Sequence, residues 1–367
     1  MSDHERSNPS PSDHGATDEP PVDLLRALAV IAEPPGSQHE RLGRALRLGG
    51  PLAADLYSDL FLFQVYPYAS IHVGAEGMLG GDARERIAGF WRAVGRVPPG
   101  EPDHLASLLG LYAGLAEEER APRPSAERLL VREARGALLY EHLAPWVFAF
   151  LERVRQLGRG AYARWAVLLT TALRDEVQRR DVGAKGGTPA ALPRHLTLAP
   201  PLPDPRVEGG AAFLEGVLAP VRSGMIVTRA DLARLAGRLD LGLRAGERRY
   251  ALEHLLAQDG ANVLAGLAAK ARARAAEHRA MRPWLGSIAD FHACRAATTA
   301  DLLDDLAAEH ASAATPAPES SPPAPGPEPE TAADRRRHGV RAGLREHESH
   351  GFRSAGEGGA PSSAAGC

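Results

Sequence analysis

Apolar positions along the chain recur with the period of a helix. Ile87, Phe90, Trp91 and Val94 fall at i, i+3, i+4 and i+7, and Leu105, Leu108, Leu109 and Tyr112 repeat the arrangement. Ser37 and Glu40 stand at capping-box spacing, Ser125 after Pro124 is placed to cap another helix, and Pro145 to end or kink it before an apolar face through Phe150 and Leu151. Farther on, Thr228 predicts the cap of a helix carrying Leu232, Leu235 and Leu239, with Gly242 positioned to stop it. Helices are predicted from about Glu247 to Gln258 and from about Ala261 to Met281, the second with arginines on its polar face. The alternation expected of half-buried strands is scarce. An all-α fold follows, a helical bundle with a smaller C-terminal helical part. Fourteen of the nineteen Phe, Trp and Tyr residues lie between Tyr57 and Trp165, which places the main core in the N-terminal part.

Composition alters this picture mainly at the ends. Residues 1–21 are polar and rich in Ser, Pro and Asp, and from Ala311 to Cys367 the only large apolar residues are Val340, Leu344 and Phe352, with seven prolines between Pro316 and Pro329. Such segments bury too little to offset their ordering entropy, so both are predicted to be disordered tails. A stretch with six prolines from Gly183 to Gly210 predicts a linker or long crossing loop. The expected organisation is a tail over 1–21, a helical domain over 22–182, a linker over 183–210, a C-terminal helical region over 211–310 and a tail over 311–367.

Charge and chemistry narrow the function classes. With 43 Lys and Arg against 46 Asp and Glu, the chain has a net charge of −3 and lacks the basic excess of a protein held to nucleic acid by phosphate contacts. Two cysteines, Cys294 and Cys367, exclude a disulfide scaffold and an all-cysteine metal site. The N-terminus has no apolar run like that of a cleaved leader, and the longest apolar stretch, Leu143 to Leu151, is nine residues where a membrane span needs about 20. A soluble, cytoplasmic protein without a membrane span is expected. Gly183-Ala184-Lys185-Gly186 lacks the spacing of a phosphate loop, His347 and His350 lack the glutamate of a zinc-protease helix, and no nucleophile elbow occurs. No catalytic residue, metal site or cofactor is predicted.

One constellation stands apart. Glu101, Pro102, Asp103 and His104 open an amphipathic helix, where Asp103 is expected to act as N-cap and Glu101 to favour the positive end of the helix dipole. If exposed beside a groove, the same acids could meet a basic peptide.

Five short segments, in order, resemble the TorD-type redox-enzyme maturation chaperones, the relatives of DmsD and NarJ. Tyr57, Leu60 and Phe61 match an aromatic-x-x-Leu-Phe pattern. Pro67, Tyr68, Ser70 and Ile71 match a Pro-Tyr-x-Ser stretch, Gly77 to Gly80 a glycine-containing turn, Asp103 to Leu105 an Asp-His-Leu element, and His142, Leu143 and Trp146 a His-Leu-x-x-Trp element. The resemblance spans about Leu52 to Leu173. It implies a TorD-like bundle that needs no cofactor and is not an enzyme, but binds the immature, cofactor-free catalytic subunit of a molybdenum oxidoreductase and often its twin-arginine leader. Tyr68, Ser70, Ile71, Glu101, Pro102, Asp103 and His104 are the candidate partner-binding residues. Tyr57, Leu60, Phe61, His142, Leu143 and Trp146 have the spacing or type of core residues, and are expected to be structural. Monomer and helix-exchanged dimer both stay open. A reading from another class also stays open: Thr228 to Leu235, the Gly242 turn and Arg244, Arg248 and Arg249 outline a helix-turn-helix over 228–258, as in a DNA-binding regulator, although the acidic net charge disfavours nucleic acid.

Overall fold

The computed structural model describes residues 22–183, 191–244 and 246–314. The predicted tail over 1–21 and residues 315–367 of the predicted C-terminal tail lie outside these, whereas residues 311–314, expected in that tail, complete the last helix. Among the described residues the secondary structure is helical, and one isolated antiparallel bridge joins Tyr68 to His104. The N-terminal part contains α1 (Val22–Ile31), α2 (His39–Ala45), α3 (Ala54–Tyr57), α4 (Ala69–Val73), α5 (Gly81–Ala93), α6 (Leu105–Arg120), α7 (Ser125–Ala137), α8 (Ala144–Leu157) and α9 (Ala161–Gly183). Two π-helical turns, Ser58–Leu62 and Leu138–Leu143, continue α3 and join α7 to α8. After two single turns, α10 (Arg194–Thr197) and α11 (Pro205–Glu208), come α12 (Gly210–Leu218), α13 (Pro220–Ser223), α14 (Arg229–Leu239), α15 (Arg248–Gln258), α16 (Gly260–Leu285) and α17 (Ser287–Ala314).

The larger core is centred on Phe61, which is fully buried and touches four aromatic rings: Tyr57 at 5.1 Å, Phe150 at 6.1 Å, Tyr162 at 5.4 Å and Trp165 at 5.9 Å between centroids. Tyr57, Leu60, Leu143 and Trp146 are buried in the same cluster. Pro145 has no N–H and its ring would collide with the carbonyl one turn back. The wide turn before it accommodates both facts. Carbonyls there find other donors: the Trp146 indole binds His142 O at 2.8 Å, and His292 Nε2 donates to Pro145 O at 2.7 Å.

A second core gathers Leu232, Leu235, Leu252, Leu255, Leu264 and Leu303 from α14 to α17. The stretch after residue 190 crosses between them. Leu192, Leu196 and Ala199 pack on the first core and Leu202 on the second, while Val221, Ile226 and Ile288 return to the first. The described residues up to Ala313 belong to one compact unit.

Three predicted helix signals act differently in the fold. α2 begins at His39 without a side-chain cap, because His39 Nδ1 takes the Gly36 N–H at 2.9 Å and Ser37 stays outside. Ser125 is the first residue of α7 and makes no cap bond. α14 ends at Asp240 in the left-handed region (φ 54°), two residues before Gly242, whose N–H is held by Gln258. Thr228, by contrast, forms the full capping box with Asp231.

Five histidines, His72, His142, His195, His278 and His292, are largely or wholly buried, and burial pushes their pKa values down to between about 3 and about 4. In each the neutral form is favoured by folding, so the stability they contribute is complete above about pH 6.5, the unfolded value, and is lost as pH falls toward 4. Urea midpoints measured at pH 7 and pH 5 are expected to fall steeply, with roughly 1–2 kcal/mol lost per buried histidine at pH 5.

Candidate partner-binding surface

The segment before α6 runs antiparallel to the segment before α4. Leu105 N–H donates to Pro67 O at 2.8 Å and Ala69 N–H to Asp103 O at 3.0 Å. The Asp103 carboxylate, fully buried, accepts from Ser70 N–H at 3.1 Å and so caps α4 across 33 residues of sequence. Asp103 is therefore not the N-cap of α6. His104 holds that place, its Nδ1 accepting from Ala106 N–H at 3.2 Å, because the bridge to Tyr68 aims the aspartate toward Ser70. With Nδ1 an acceptor, the ring carries its proton on Nε2. Burial lowers the His104 pKa against the opposing pull of Glu101 and Asp103.

Ser70 passes the connection on. Its hydroxyl accepts from Gly80 N–H at 3.2 Å, which fixes the turn between α4 and α5. Gly77 there has φ 62° and no space for a side chain, since a Cβ would lie 2.8 Å from Ala219 Cα. Gly80 and Gly81 also have positive φ. Between them Met78 and Leu79 are held outward, 68% and 58% exposed. On the other side, Trp91 Nε1 binds Pro102 O at 3.2 Å and Arg84 binds Gly100 O at 2.9 Å, fixing the loop that presents Glu101.

At this surface Glu101 is exposed and Tyr68 half-buried, the Tyr68 ring edge-on to His104 at 4.8 Å. Burial and a hydrogen bond to Glu101 raise the Tyr68 pKa, and burial with the charges of Glu101 and Glu33 pushes Tyr57 up to about 12. Both phenols thus stay protonated, beside two carboxylates. The arrangement offers acidic acceptors, an aromatic edge and a neighbouring apolar turn.

Of the candidate binding residues, the fold brings Tyr68, Ser70, Asp103 and His104 together, with Glu101 at their edge. Ser70, Ile71, Pro102, Asp103 and His104 are buried, which leaves Glu101 and Tyr68 as the ones open to a partner. His142, Leu143 and Trp146 lie inside, His142 against Phe90 at 4.7 Å and Trp146 stacked on His72 at 5.1 Å. Met78 and Leu79 were not singled out from sequence as partner-facing; two large apolar residues enclosed by glycines were the available signal.

The 228–258 segment has a different use. Arg248 lies over Tyr66 and binds Val227 O, Arg229 lies over Phe63, and Arg249 pairs with Glu215 and Glu253. Eight residues separate α14 from α15, longer than the turn of a helix-turn-helix. Arg229 and Arg248 fasten the C-terminal helices to the 58–66 segment, and Arg249 pairs within the C-terminal helices.

Residues 38–152 match the protein family described as nitrate reductase delta subunit. Through this segment the chain is similar to the TorD/NarJ-type chaperones. It is 35% identical over 126 residues to proteins named chaperone protein TorD from two strains of Vibrio cholerae serotype O1, covering 32% of this chain and 56% of each relative. The chain thus spans little more than half the length of the curated relatives it matches. No solved structure matches. In the described residues no helix is long and apolar enough to cross a membrane.

Asp103 separates two chemical contributions. Asp103→Ala leaves the buried Ser70 N–H without an acceptor and is expected to cost about 1–3 kcal/mol in urea unfolding, whereas Asp103→Asn keeps an acceptor oxygen and should lose less. Equal stability of the two variants would show that the bond contributes little.

Proposed function

We propose that this protein is a cytoplasmic molecular chaperone that binds the immature, cofactor-free catalytic subunit of a molybdenum oxidoreductase. It recognises the twin-arginine leader of that subunit, assists cofactor insertion and assembly, and has no catalytic activity of its own. The observation that carries this reading is the surface formed by Glu101 and Tyr68 beside the Met78–Leu79 turn, on a segment matched by the family. A leader with paired arginines and an apolar run needs carboxylate acceptors, an aromatic edge and exposed apolar contacts in one place. The similarity of residues 38–152 to this family supports the chaperone class.

Recognition by a held segment suits a protein that must release its partner. The bridge and the Asp103 bond order the loop before the leader arrives, so little conformational entropy is spent on binding. Exposed carboxylates bind arginine modestly and with salt sensitivity, while apolar contacts persist at high salt.

The test is co-expression with the molybdoenzyme subunit encoded nearby, pull-down of its cofactor-free form, and enzyme activity in a strain lacking this chaperone. Failure to capture that form together with undiminished maturation would refute the assignment. On a synthetic leader peptide, Glu101→Gln is expected to weaken binding roughly 2- to 5-fold and flatten its salt dependence, with the melting temperature unchanged. Leu79→Ser should weaken binding while leaving the salt dependence as it is.

A further inference from the structure

The basic residues of this chain are almost all of one kind: of 43 Lys and Arg, only Lys185 and Lys270 are lysine. Arginine does not shed its proton in a protein, whereas a buried lysine can. A buried position that keeps lysine in so arginine-rich a chain is therefore a place where amine chemistry is available. Lys270 lies on α16 with Nζ 2.9 Å from Asp231 Oδ2, its side chain 14% exposed.

The same carboxylate is held by Arg153 of α8 at 2.7 Å and by Arg234 of α14 at 2.5 Å. Three cations share one carboxylate. Arg274, one turn farther along α16 and paired with Glu277, adds its charge against the lysine. The guanidiniums stay charged, so the ammonium is the group that the excess positive charge works against. Burial, with Arg153, holds its pKa down to about 8. Compared with an ordinary lysine, its neutral fraction at neutral pH is larger by roughly two orders of magnitude.

A cleft of about 210 Å³ opens beside this amine, lined by the already paired Asp231, by Leu235, Gly266, Leu267 and Ala269, and by Arg234 and Arg238, which stand one turn apart on α14. Arg238 is exposed and makes no ion pair among the described residues. The cleft thus joins a nucleophile to an unspent guanidinium across a small apolar wall. That combination fits a short acyl group carrying a phosphate.

We propose that Lys270 is an acylation site for small acyl phosphates, with Arg238 and Arg234 holding the phosphoryl end and the carbonyl carbon presented to Nζ. The neutral amine adds its lone pair to that carbon. An N–C bond forms as the C–O bond to the phosphoryl oxygen breaks, and the leaving phosphate takes the electron pair. The nitrogen's proton ends on the phosphate, directly or through water. One amine and one acyl phosphate give one amide and one hydrogen phosphate, with nothing oxidised or reduced. This site shares no lining residue with the Glu101 surface and stands independently of the chaperone reading.

The experiment uses the full chain, acetyl phosphate and peptide mass mapping, with Lys185 as internal reference. Lys270 is expected to be acetylated faster than Lys185, at a rate that levels off once pH passes about 8. Arg238→Gln, an exposed substitution, should slow acetylation of Lys270 by acetyl phosphate several-fold and leave its acetylation by the uncharged reagent N-acetoxysuccinimide unchanged. Lys185 reacting first, a Lys270 rate still climbing beyond about pH 10, or an Arg238→Gln variant as fast as wild type toward acetyl phosphate would each overturn the proposal.

Discussion

A single buried carboxylate organises the candidate surface. Asp103 lies in the loop ahead of α6, yet its side chain and its carbonyl both serve the start of α4. Buried carboxylates are costly unless every lone pair finds a donor, and a helix N-terminus supplies donors with the right polarity. Once Ser70 is held in this way its hydroxyl can hold Gly80, and the glycine turn follows. Three segments far apart in sequence thereby share one hydrogen-bonded frame, and the exposed Glu101, Tyr68, Met78 and Leu79 inherit their positions from it.

The C-terminal helices are joined to this body by a different device. Asp231 completes the capping box of α14 and also receives Arg153 from α8 and Lys270 from α16. A local helix signal is thus reused as a long-range clamp. Cation–π contacts from Arg229 to Phe63 and from Arg248 to Tyr66 reinforce the joint at the 58–66 segment. The joint buries charge that must remain paired, which ties the two cores more specifically than apolar packing alone would.

Buried and exposed residues divide the work within the matched segment. Phe61, Trp146 and Leu143 build the aromatic core, and Asp103, Ser70 and His104 set loop geometry. Few of the motif residues themselves face solvent. The candidate surface therefore depends on a rigid interior and on a small number of side chains held at its edge.

The helical class was legible from local pattern, since apolar spacing at 3.6 residues is a local property that packing only has to accept. The sequence also located the larger core through the aromatics from Tyr57 to Trp165, the Thr228 cap and the ordered motifs that match the family. Tertiary structure decided which acceptor each polar group would take. Asp103 read as the cap of its own helix and became the cap of another, because the bridge between Tyr68 and His104 sets the Ser70 N–H against its carboxylate. Helix ends at Ser37, Ser125 and Gly242 shifted for a related reason: several nearby groups can satisfy the same terminal amides, and only their three-dimensional neighbours select among them. The exposure of Met78 and Leu79, and the gathering of three cations at Asp231, arise from chain segments meeting across long sequence separations, which no local period encodes.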